Sequence, residues 1–182
     1  MIENHKFDGI KIMQLKKFKD SRGFFIERYN KDILSKLGFN VDFVQDNHSS
    51  SVPGVIRGLH YQTNPAQGKL VSVIRGKILD IFVDLRANSK TFGEWDSVEL
   101  SDENDKTVWI PGGFAHGFCV VGNENAEVVY KVDNLFSSSG DGGIFYDDSE
   151  LKIEWPHENP IVSDKDKKLQ SFKDYKLKPL FY

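Results

Sequence analysis

The sequence predicts an all-β fold, a β-sandwich or barrel that carries only a few short peripheral helices. Short segments rich in Val, Ile and aromatic residues recur along the chain, and turn residues bound each of them. Gly and Pro separate these segments at near-regular spacing. Helical periodicity is slight, and the 14 Phe, 3 Trp and 6 Tyr indicate an aromatic-lined core or pocket. A length of 182 residues favours a single domain, residues 1–182.

The predicted strands follow the β-branched and aromatic segments in order. They are residues 23–28, 42–47, 55–62, 69–75, 77–85, 95–100, 106–110, 115–121, 126–132 and 144–146. In 77–85 the two-residue period of a strand puts four apolar side chains on one face, those of Leu79, Ile81, Val83 and Leu85.

Two short helical segments are expected. Asn30 is a candidate cap for a helix whose apolar residues and stop signal are Ile33, Leu34, Leu37 and Gly38. Residues 163–166 open a C-terminal helical turn, and Pro179 excludes its extension beyond that point. The stretch 137–143, Ser-Ser-Ser-Gly-Asp-Gly-Gly, is predicted to be a loop because it lacks apolar periodicity.

The composition excludes several classes of partner and site. Lys+Arg is 24 and Asp+Glu is 27, so no basic excess points to a nucleic acid or an anionic membrane. No segment approaches the roughly 20 apolar residues that a membrane span needs, and the N-terminus lacks the pattern of a signal peptide. The single Cys119 rules out an intramolecular disulfide and a multi-thiolate zinc site. We therefore expect a cytoplasmic, thiol-reducing compartment.

Three polar clusters interrupt otherwise apolar, strand-like segments. They are 57–62 (Arg-Gly-Leu-His-Tyr-Gln), 67–69 (Gln-Gly-Lys) and 113–118 (Gly-Phe-Ala-His-Gly-Phe). Tyr130 adds a phenol on a strand face shared with Val128 and Val132. Buried Arg, His, Lys and Tyr need hydrogen-bond or charge partners. Their convergence in one barrel would mark a polar ligand pocket in an apolar wall.

Regular alternation within 55–62 conflicts with a shared pocket. A regular strand puts Arg57 and His60 on opposite faces. Both enter one pocket only if Gly58 or a β-bulge breaks the alternation, or if one of them lies beyond the strand end.

Short motifs run in a characteristic order over nearly the whole chain. They include Asp20-Ser-Arg22-Gly-Phe-Phe, Val44-Gln45-Asp46-Asn47, Arg57-Gly-Leu-His60-Tyr-Gln, Gln67-Gly-Lys69-Leu-Val, Ile110-Pro-Gly-Gly-Phe-Ala-His116-Gly-Phe, Tyr130-Lys and Ser163-Asp-Lys165-Asp166. In residue type and in order, these motifs resemble the dTDP-4-dehydrorhamnose 3,5-epimerase family. The resemblance implies a cupin-like jelly roll, a homodimer, and no requirement for a metal or a dissociable cofactor.

The resemblance also implies the chemistry. The substrate would be dTDP-4-dehydro-6-deoxy-D-glucose, whose C4 ketone acidifies the hydrogens at C3 and C5 because either carbanion delocalises onto oxygen. Inversion then needs a base on one face of the sugar and an acid on the other. The family pattern assigns His60 as the base, Asp166 as its partner, Tyr130 as the acid and Lys69 to the C4 oxygen. The product, dTDP-4-dehydro-L-rhamnose, would supply L-rhamnose biosynthesis.

The remaining family positions imply contacts with the nucleotide sugar. The matching residues are Arg22, Glu27, Gln45, Asp46, Asn47, Arg57, Lys69, His116, Phe136, Asp141 and Lys165. Arg and Lys suit a pyrophosphate, and Arg57 is expected either there or at the C4 oxygen. Gln45 and Asn47, with the backbone between them, suit a pyrimidine edge. Phe136 stands where many members have a tyrosine that stacks on the thymine, and it keeps the stacking face. Asp141 stands where many members have a glutamate.

Three other functions and one other residue role stay open from the sequence. A metal-dependent cupin commonly needs a His-x-His pair, which this chain lacks. A non-catalytic sugar-nucleotide-binding module would keep the arginines without needing His60, Tyr130 and Lys69 together. Relatives of the fold invert only C3 or only C5, or act as ketoisomerases. The spacing of Ser163 and Asp166 also fits a capping box, as an alternative to a pair with His60.

Overall fold

The computed structural model describes residues 2–36 and 38–182. Its strands are β1 (Ile2–Asn4), β2 (Lys11–Gln14), β3 (Lys17–Asp20), β4 (Gly23–Ile26), β5 (Gln45–Ser51), β6 (Val55–Gln62), β7 (Lys69–Arg75), β8 (Lys77–Asp84), β9 (Trp95–Ser101), β10 (Lys106–Ile110), β11 (Phe114–Val120), β12 (Ala126–Val132), β13 (Asp141–Gly143) and β14 (Ile161–Val162). Its helices are α1 (Lys31–Lys36) and α2 (Phe172–Leu177), and a 3-10 turn spans Asp166–Lys168. The predicted all-β fold with short peripheral helices is confirmed.

Two sheets form the body of the molecule. The first has the strand order β1-β2-β10-β7-β12-β5, and its strands are paired antiparallel. The second has the order β13-β6-β11-β8-β9, with β14 added in parallel to β6. Strands β3 and β4 form a separate hairpin.

The inner faces of the two sheets enclose the main core. Buried apolar side chains from both sheets pack there, including Val71 and Val128 from the first sheet and Phe82 and Phe118 from the second. Each large apolar side chain that is fully buried stabilises the fold by about 1.5–3 kcal/mol relative to an exposed one. This core therefore fixes the distance between the two sheets, and polar residues on the same inner faces share the space between them.

Strand β8 carries apolar side chains on both faces. Ile78 and Phe82 point into the main core. The side chains at positions 79, 81, 83 and 85 belong to a second cluster, which Phe172 and Tyr175 of α2 cover. The predicted common face of these four residues is confirmed.

The glycine-rich stretch 137–143 is not entirely a loop, which corrects two predictions. Its last three residues form β13 against β6, whereas the predicted 144–146 forms no strand of its own. There, Ile144 exchanges two backbone hydrogen bonds with Leu59 and forms an isolated bridge to Gln170. A Cβ on Gly142 would meet the ring of Tyr61, and one on Gly143 would meet the carbonyl of Leu59. Glycine therefore permits this close backbone pairing, which apolar periodicity does not reveal.

Strand β5 covers Gln45–Ser51, later along the chain than the predicted 42–47. Phe43 packs instead in an outer aromatic cluster with Tyr29 and Trp109. The polar residues Ser49–Ser51 continue the strand by pairing with β12. The apolar pattern therefore ends before the strand does.

The helix caps follow the sequence in part. Asn30 Oδ1 accepts the Ile33 N–H at 3.1 Å, so the predicted cap of α1 is confirmed, while Leu37 lies outside the described residues. Helix α2 is not predicted from the sequence. It begins after Ser171, whose Oγ accepts the Asp174 N–H at 3.1 Å. Besides β13, four unpredicted strands are too short to show a period: β1, β2, β3 and β14. Of the helices described, none is long and apolar enough to cross a membrane.

Candidate active site

A bulge in β6 puts Arg57 and His60 on one face. His60 pairs with His116 and Arg57 pairs with Phe118, so three steps along β6 match two steps along β11. The extra residue inverts the alternation between these positions, and both side chains lie on the inner face shared with the β11 residues. Of the alternatives that the alternation conflict leaves open, the structure shows the bulge. Gly58 lies within it, at a φ of 119°.

We expect Gly58→Ala to lower the free energy of unfolding by more than about 2 kcal/mol. A Cβ there would lie 2.6 Å from the Gly117 Cα, in addition to the strain of the positive φ. The control is Gly54→Ala, which has a φ of 78° but nothing within 4 Å of the added Cβ, so it should cost about 1–2 kcal/mol. Urea denaturation measures both, and equal losses would contradict the steric argument.

His60 forms a tight pair with Asp166. The His60 Nε2 lies 2.8 Å from the Asp166 Oδ1, and the Gly58 N–H donates to Oδ2 at 3.2 Å. Burial opposes ionisation of Asp166, but the hydrogen bond and charge of His60, with the Gly58 N–H, hold the pKa of this carboxyl below its ordinary value. Ser163 Oγ accepts the Asp166 N–H at 3.1 Å, so Ser163 caps the turn while the carboxylate orients His60.

A second histidine–carboxylate pair lies beside the first. His116 is directly opposite His60 across the two strands, and its Nε2 lies 2.8 Å from Asp80 Oδ2. Burial raises the pKa of Asp80, and the charges of His116 and Lys69 oppose that rise. The other oxygen, Oδ1, has no hydrogen-bond partner within the described part of the chain. The carboxylate therefore points one free acceptor into the space between the sheets.

Lys69 begins β7 and brings an ammonium group into the same interior. Burial lowers the pKa of Lys69 to about 8, against the opposing charges of Asp133, Asp141 and Asp80. Among residues 2–36 and 38–182, the structure gives this ammonium no hydrogen bond and no ion pair. Its three donors are therefore available to a ligand.

We expect kcat/KM to fall as pH rises through about 8, because Lys69 loses its charge there. Lys69→Met should have low activity without this alkaline limb, and a limb that persists in the variant would contradict the assignment.

The effect of Lys69 on stability has the opposite dependence on pH. Since the folded pKa lies below the ordinary value of 10.5, the contribution of Lys69 to the free energy of unfolding rises with pH between about 8 and 10.5.

Tyr130 approaches the same interior from the other sheet. It lies on β12, and its ring packs against the main core. Burial raises the pKa of the phenol, and the charge of Arg57 partly offsets the rise. Its hydroxyl makes no hydrogen bond to any described residue, unlike that of an ordinary core tyrosine. Tyr130 and His60 thus lie on opposing sheets around one space.

A group of polar residues extends from this space along β5. Gln45 and Asn47 share a face, and the Gln45 Nε2 donates to the Asn47 Oδ1 at 2.8 Å. Asp46 points to the opposite face, where its Oδ2 lies 2.8 Å from the Lys131 Nζ, so only its backbone lies between the two amides. Phe136 donates its N–H to the Gln45 Oε1 at 3.2 Å, and its side chain is 59% exposed.

A cavity of about 420 Å³ opens beside the His60–Asp166 pair. Arg57 and Lys165 line it together with that pair. Lys165 also forms an ion pair with Asp141 at 2.6 Å, which brings β13 to the same rim. This cavity therefore combines a histidine–carboxylate pair with two cationic side chains, whereas neither Lys69 nor Tyr130 lines it.

A protein-family model described as dTDP-4-dehydrorhamnose 3,5-epimerase matches residues 4–174. The chain belongs to the dTDP-4-dehydrorhamnose 3,5-epimerase family. A member of that name from Shigella flexneri is 52% identical over 165 residues, which cover 90% of this chain and 91% of the relative.

Solved structures of epimerase-family members share the fold. The dTDP-4-dehydrorhamnose 3,5-epimerase from Bacillus anthracis str. Ames, with TDP and PPi bound, is 45% identical, with a TM-score of 0.91 over 94% of this chain and 99% of that one. The dTDP-6-deoxy-D-glucose-3,5-epimerase from Legionella pneumophila Philadelphia 1, in complex with dTDP-4-keto-L-rhamnose, is 42% identical, with a TM-score of 0.92 over 100% and 98%. These matches confirm the cupin-like jelly-roll fold.

Two residues that the family pattern assigns to the substrate lie apart from this cluster. Arg22, at the turn between β3 and β4, has a side chain that is 88% exposed, and its guanidinium lies 2.7 Å from Asp20. Glu27 lines a separate, largely apolar cavity of about 300 Å³ with Met13 and Phe18. Within this one chain the structure does not bring either residue to His60.

Asp80, whose carboxylate pairs with His116, is not among the site residues predicted from the sequence. A detectable signal exists, because Asp80 alternates in phase with Ile78 and Phe82 and therefore lies on the core face of an apolar strand. A carboxylate in that position needs a polar partner. Gln62, which is 4% exposed at the end of β6, belongs to the predicted polar cluster 57–62 but is given no role of its own by the sequence.

Proposed function

We propose that the chain is a dTDP-4-dehydrorhamnose 3,5-epimerase that inverts C3 and C5 of dTDP-4-dehydro-6-deoxy-D-glucose. The product is dTDP-4-dehydro-L-rhamnose, for L-rhamnose biosynthesis. The observation that carries this proposal is the placement of three groups around one interior. His60, held by Asp166, faces it from the second sheet, while the unbonded phenol of Tyr130 and the unpaired ammonium of Lys69 face it from the first.

The proposed reaction is a proton transfer at each carbon in turn. His60 accepts the C–H proton, and the bonding electrons move toward C4 so that negative charge develops on the C4 oxygen. The Lys69 ammonium stabilises this enolate. Tyr130 then donates its proton to the opposite face of the same carbon, which forms the new C–H bond with inverted configuration. His60 releases its proton to solvent and Tyr130 regains one, so proton exchange alone balances the reaction.

The electrostatics suit these roles. The raised pKa of Tyr130 keeps the phenol protonated at neutral pH, as an acid requires. The lowered pKa of Asp166 keeps its carboxylate ionised beside His60, where it stabilises an imidazolium. The Lys69 ammonium has no hydrogen-bond partner among the described residues that it would have to give up in order to bind the developing oxyanion.

The nucleotide end of the substrate is assigned to the neighbouring polar residues. We place the pyrophosphate against Arg57, His116 and Lys165, since guanidinium and ammonium groups suit phosphate oxygens. The pyrimidine edge is assigned to Gln45, Asn47 and the backbone of Asp46, and the thymine face to Phe136. Asp141 acts on the nucleotide through its ion pair with Lys165.

The assembly is proposed to be a homodimer. The β3–β4 hairpin exposes three aromatic side chains, those of Phe18 (51%), Phe24 (61%) and Phe25 (65%). An exposed apolar patch of this kind marks an interaction surface. A second copy that covers the hairpin would carry Arg22 and Glu27 to a site that neither residue reaches within one chain. Light scattering measures the assembly, and a monomer at working concentration would contradict this part.

The proposal also covers the domain organisation of the chain and its location in the cell. Residues 1–182 act as a single jelly-roll epimerase domain, because both sheets share one core. The protein works in the cytoplasm, in keeping with its one cysteine, Cys119, which is free and buried.

Proton NMR of dTDP-4-dehydro-6-deoxy-D-glucose with the enzyme in heavy water tests the function. We expect deuterium to enter at both C3 and C5, with both centres inverted. Incorporation and inversion at one carbon alone would establish a C3-only or C5-only epimerase instead. Conversion of the C4 ketone to another position would establish a ketoisomerase, and no incorporation above background would establish a binding module.

A further inference from the structure

The segment 133–137, here called the Phe136 loop, forms a hydrogen bond to the rest of the chain at each of its residues. The Gly68 N–H donates to the Asp133 Oδ1 at 2.7 Å, and the Gln67 Nε2 donates to the Asn134 carbonyl at 2.7 Å. Gln62 and Gln45 bind the next three residues of the loop. Every residue of the loop is therefore held by a hydrogen bond to another part of the chain.

The Gln62 side chain forms hydrogen bonds to the backbone on both sides of Phe136. Its Nε2 donates to the carbonyls of Leu135 at 3.1 Å and Pro65 at 3.2 Å, and its Oε1 accepts the Ser137 N–H at 2.8 Å. The peptide groups on both sides of Phe136 are thus fixed by one buried amide, which uses both N–H donors and its oxygen. Gln62 lies two residues after His60 on the same strand, so this amide joins the loop to the strand that carries the base.

The ring of Phe136 depends on this backbone for its position. Its side chain is 59% exposed, and it makes no ring contact with any described aromatic or cationic side chain. Ring stacking and cation–π contacts within the described chain therefore do not hold it. A fixed backbone limits the region that an exposed aromatic ring can reach, and so lowers the cost of ordering the ring on a flat ligand.

We propose that Gln62 is a positioning residue that holds Phe136 ready to stack on the thymine of the nucleotide sugar. This inference rests on the proposed function, in which Phe136 carries the thymine face. The role is distinct from proton transfer, because the Gln62 amide is fully engaged with the backbone. Loss of Gln62 should therefore weaken nucleotide binding and leave the chemical steps of bound substrate intact.

The test compares Gln62→Met, Phe136→Ala and the double variant by calorimetric titration with dTDP. Met matches the size of Gln and removes all three hydrogen bonds. We expect each single change to raise the Kd for dTDP by about tenfold, the scale of one base–aromatic stack. The double variant should bind no more than about twofold more weakly than Phe136→Ala alone. For Gln62→Met, KM should rise while kcat at saturation changes by less than about twofold.

Inorganic pyrophosphate and a control glutamine separate positioning from general damage. Affinity for pyrophosphate should be unchanged in Gln62→Met, since this ligand has no base to stack. Gln170→Met removes a hydrogen bond to the Tyr61 hydroxyl, outside the loop, and should leave dTDP affinity unchanged. If Gln62→Met does not fold, Gln62→Glu keeps the acceptor for Ser137 and loses both donors, and the same pattern is expected.

Three results would overturn the inference. One is wild-type dTDP affinity in Gln62→Met while Phe136→Ala binds weakly. Another is an equal loss for pyrophosphate, or additive losses in the double variant, which would indicate a general structural role. The last is unchanged affinity in Phe136→Ala, which would remove the stacking assignment as well. Deuterium incorporation into saturating substrate is unaffected in each case, so none of these results is confused with failure of the epimerase function.

Discussion

His60→Ala abolishes deuterium incorporation at both C3 and C5, and epimerisation falls by at least about 10³-fold. One imidazole is expected to serve both carbons, because His60 is the histidine whose Nε2 lies 2.8 Å from the Asp166 carboxylate at the cavity. His116 is not expected to replace it, since its side chain is only 10% exposed, against 34% for that of His60, and it does not line the cavity. NMR of the keto sugar in heavy water measures exchange at each carbon separately.

His48→Ala is the matched control for this prediction. His48 lies on β5 with its side chain 53% exposed, and its Nε2 is 3.3 Å from Glu127. Its removal should change the exchange rate by less than about twofold, because a surface pair of this kind contributes little. Exchange of both protons at nearly the wild-type rate in His60→Ala would show that His60 is not the base.

The sequence predicts the central strands best. Strands β6, β7, β10 and β12 have the predicted boundaries at both ends. Each lies inside a sheet and is paired on both sides, so burial imposes a regular apolar pattern that can be read from the sequence. His60, Lys69 and Tyr130 lie on these strands, so their positions in the fold follow from the sequence pattern, while their proposed catalytic roles come from the family resemblance.

The edge strands of the sheets and the contacts between residues far apart in sequence cannot be predicted in the same way. Strand β13 consists of Asp141–Gly143 and has no apolar residue, because its pairing depends on backbone groups and on glycine. The alternation conflict predicts that something breaks β6, but the register against β11 is needed to show which face results. The pair of His60 with Asp166 joins residues 106 positions apart. Such contacts follow from the assembled sheets and not from local pattern.

Arg22 shows a different limit of prediction from the sequence of one chain. Its motif predicts a role at the substrate, and within one chain the structure leaves its guanidinium exposed beside Asp20. The local sequence shows that position 22 has a residue type suited to a phosphate. It does not show whether Arg22 contributes to the site of its own chain or to the site of a second copy. That position depends on the assembly, which is why its assignment stays tied to the proposed dimer.

Tyr130→Phe separates proton removal from proton delivery. We expect net inversion to fall by at least about 10²-fold, because the acid on the face opposite His60 is lost. Deuterium incorporation should fall much less, since His60 can still remove a proton and return a deuteron to the same face with retained configuration. The fold should persist, because the ring keeps its contacts with the main core and the lost hydroxyl has no hydrogen-bond partner among the described residues.

Tyr61→Phe is the control, since it removes a hydroxyl from β6 that accepts a hydrogen bond from the Gln170 Nε2 at 2.8 Å. That change should cost about 1 kcal/mol of stability and leave the ratio of incorporation to inversion at its wild-type value. The ratio is the decisive quantity for Tyr130, because loss of the base, of Lys69 or of substrate binding lowers both rates together. Equal losses of incorporation and inversion in Tyr130→Phe would therefore contradict its role as the acid and leave the opposite face of the sugar without an assigned donor.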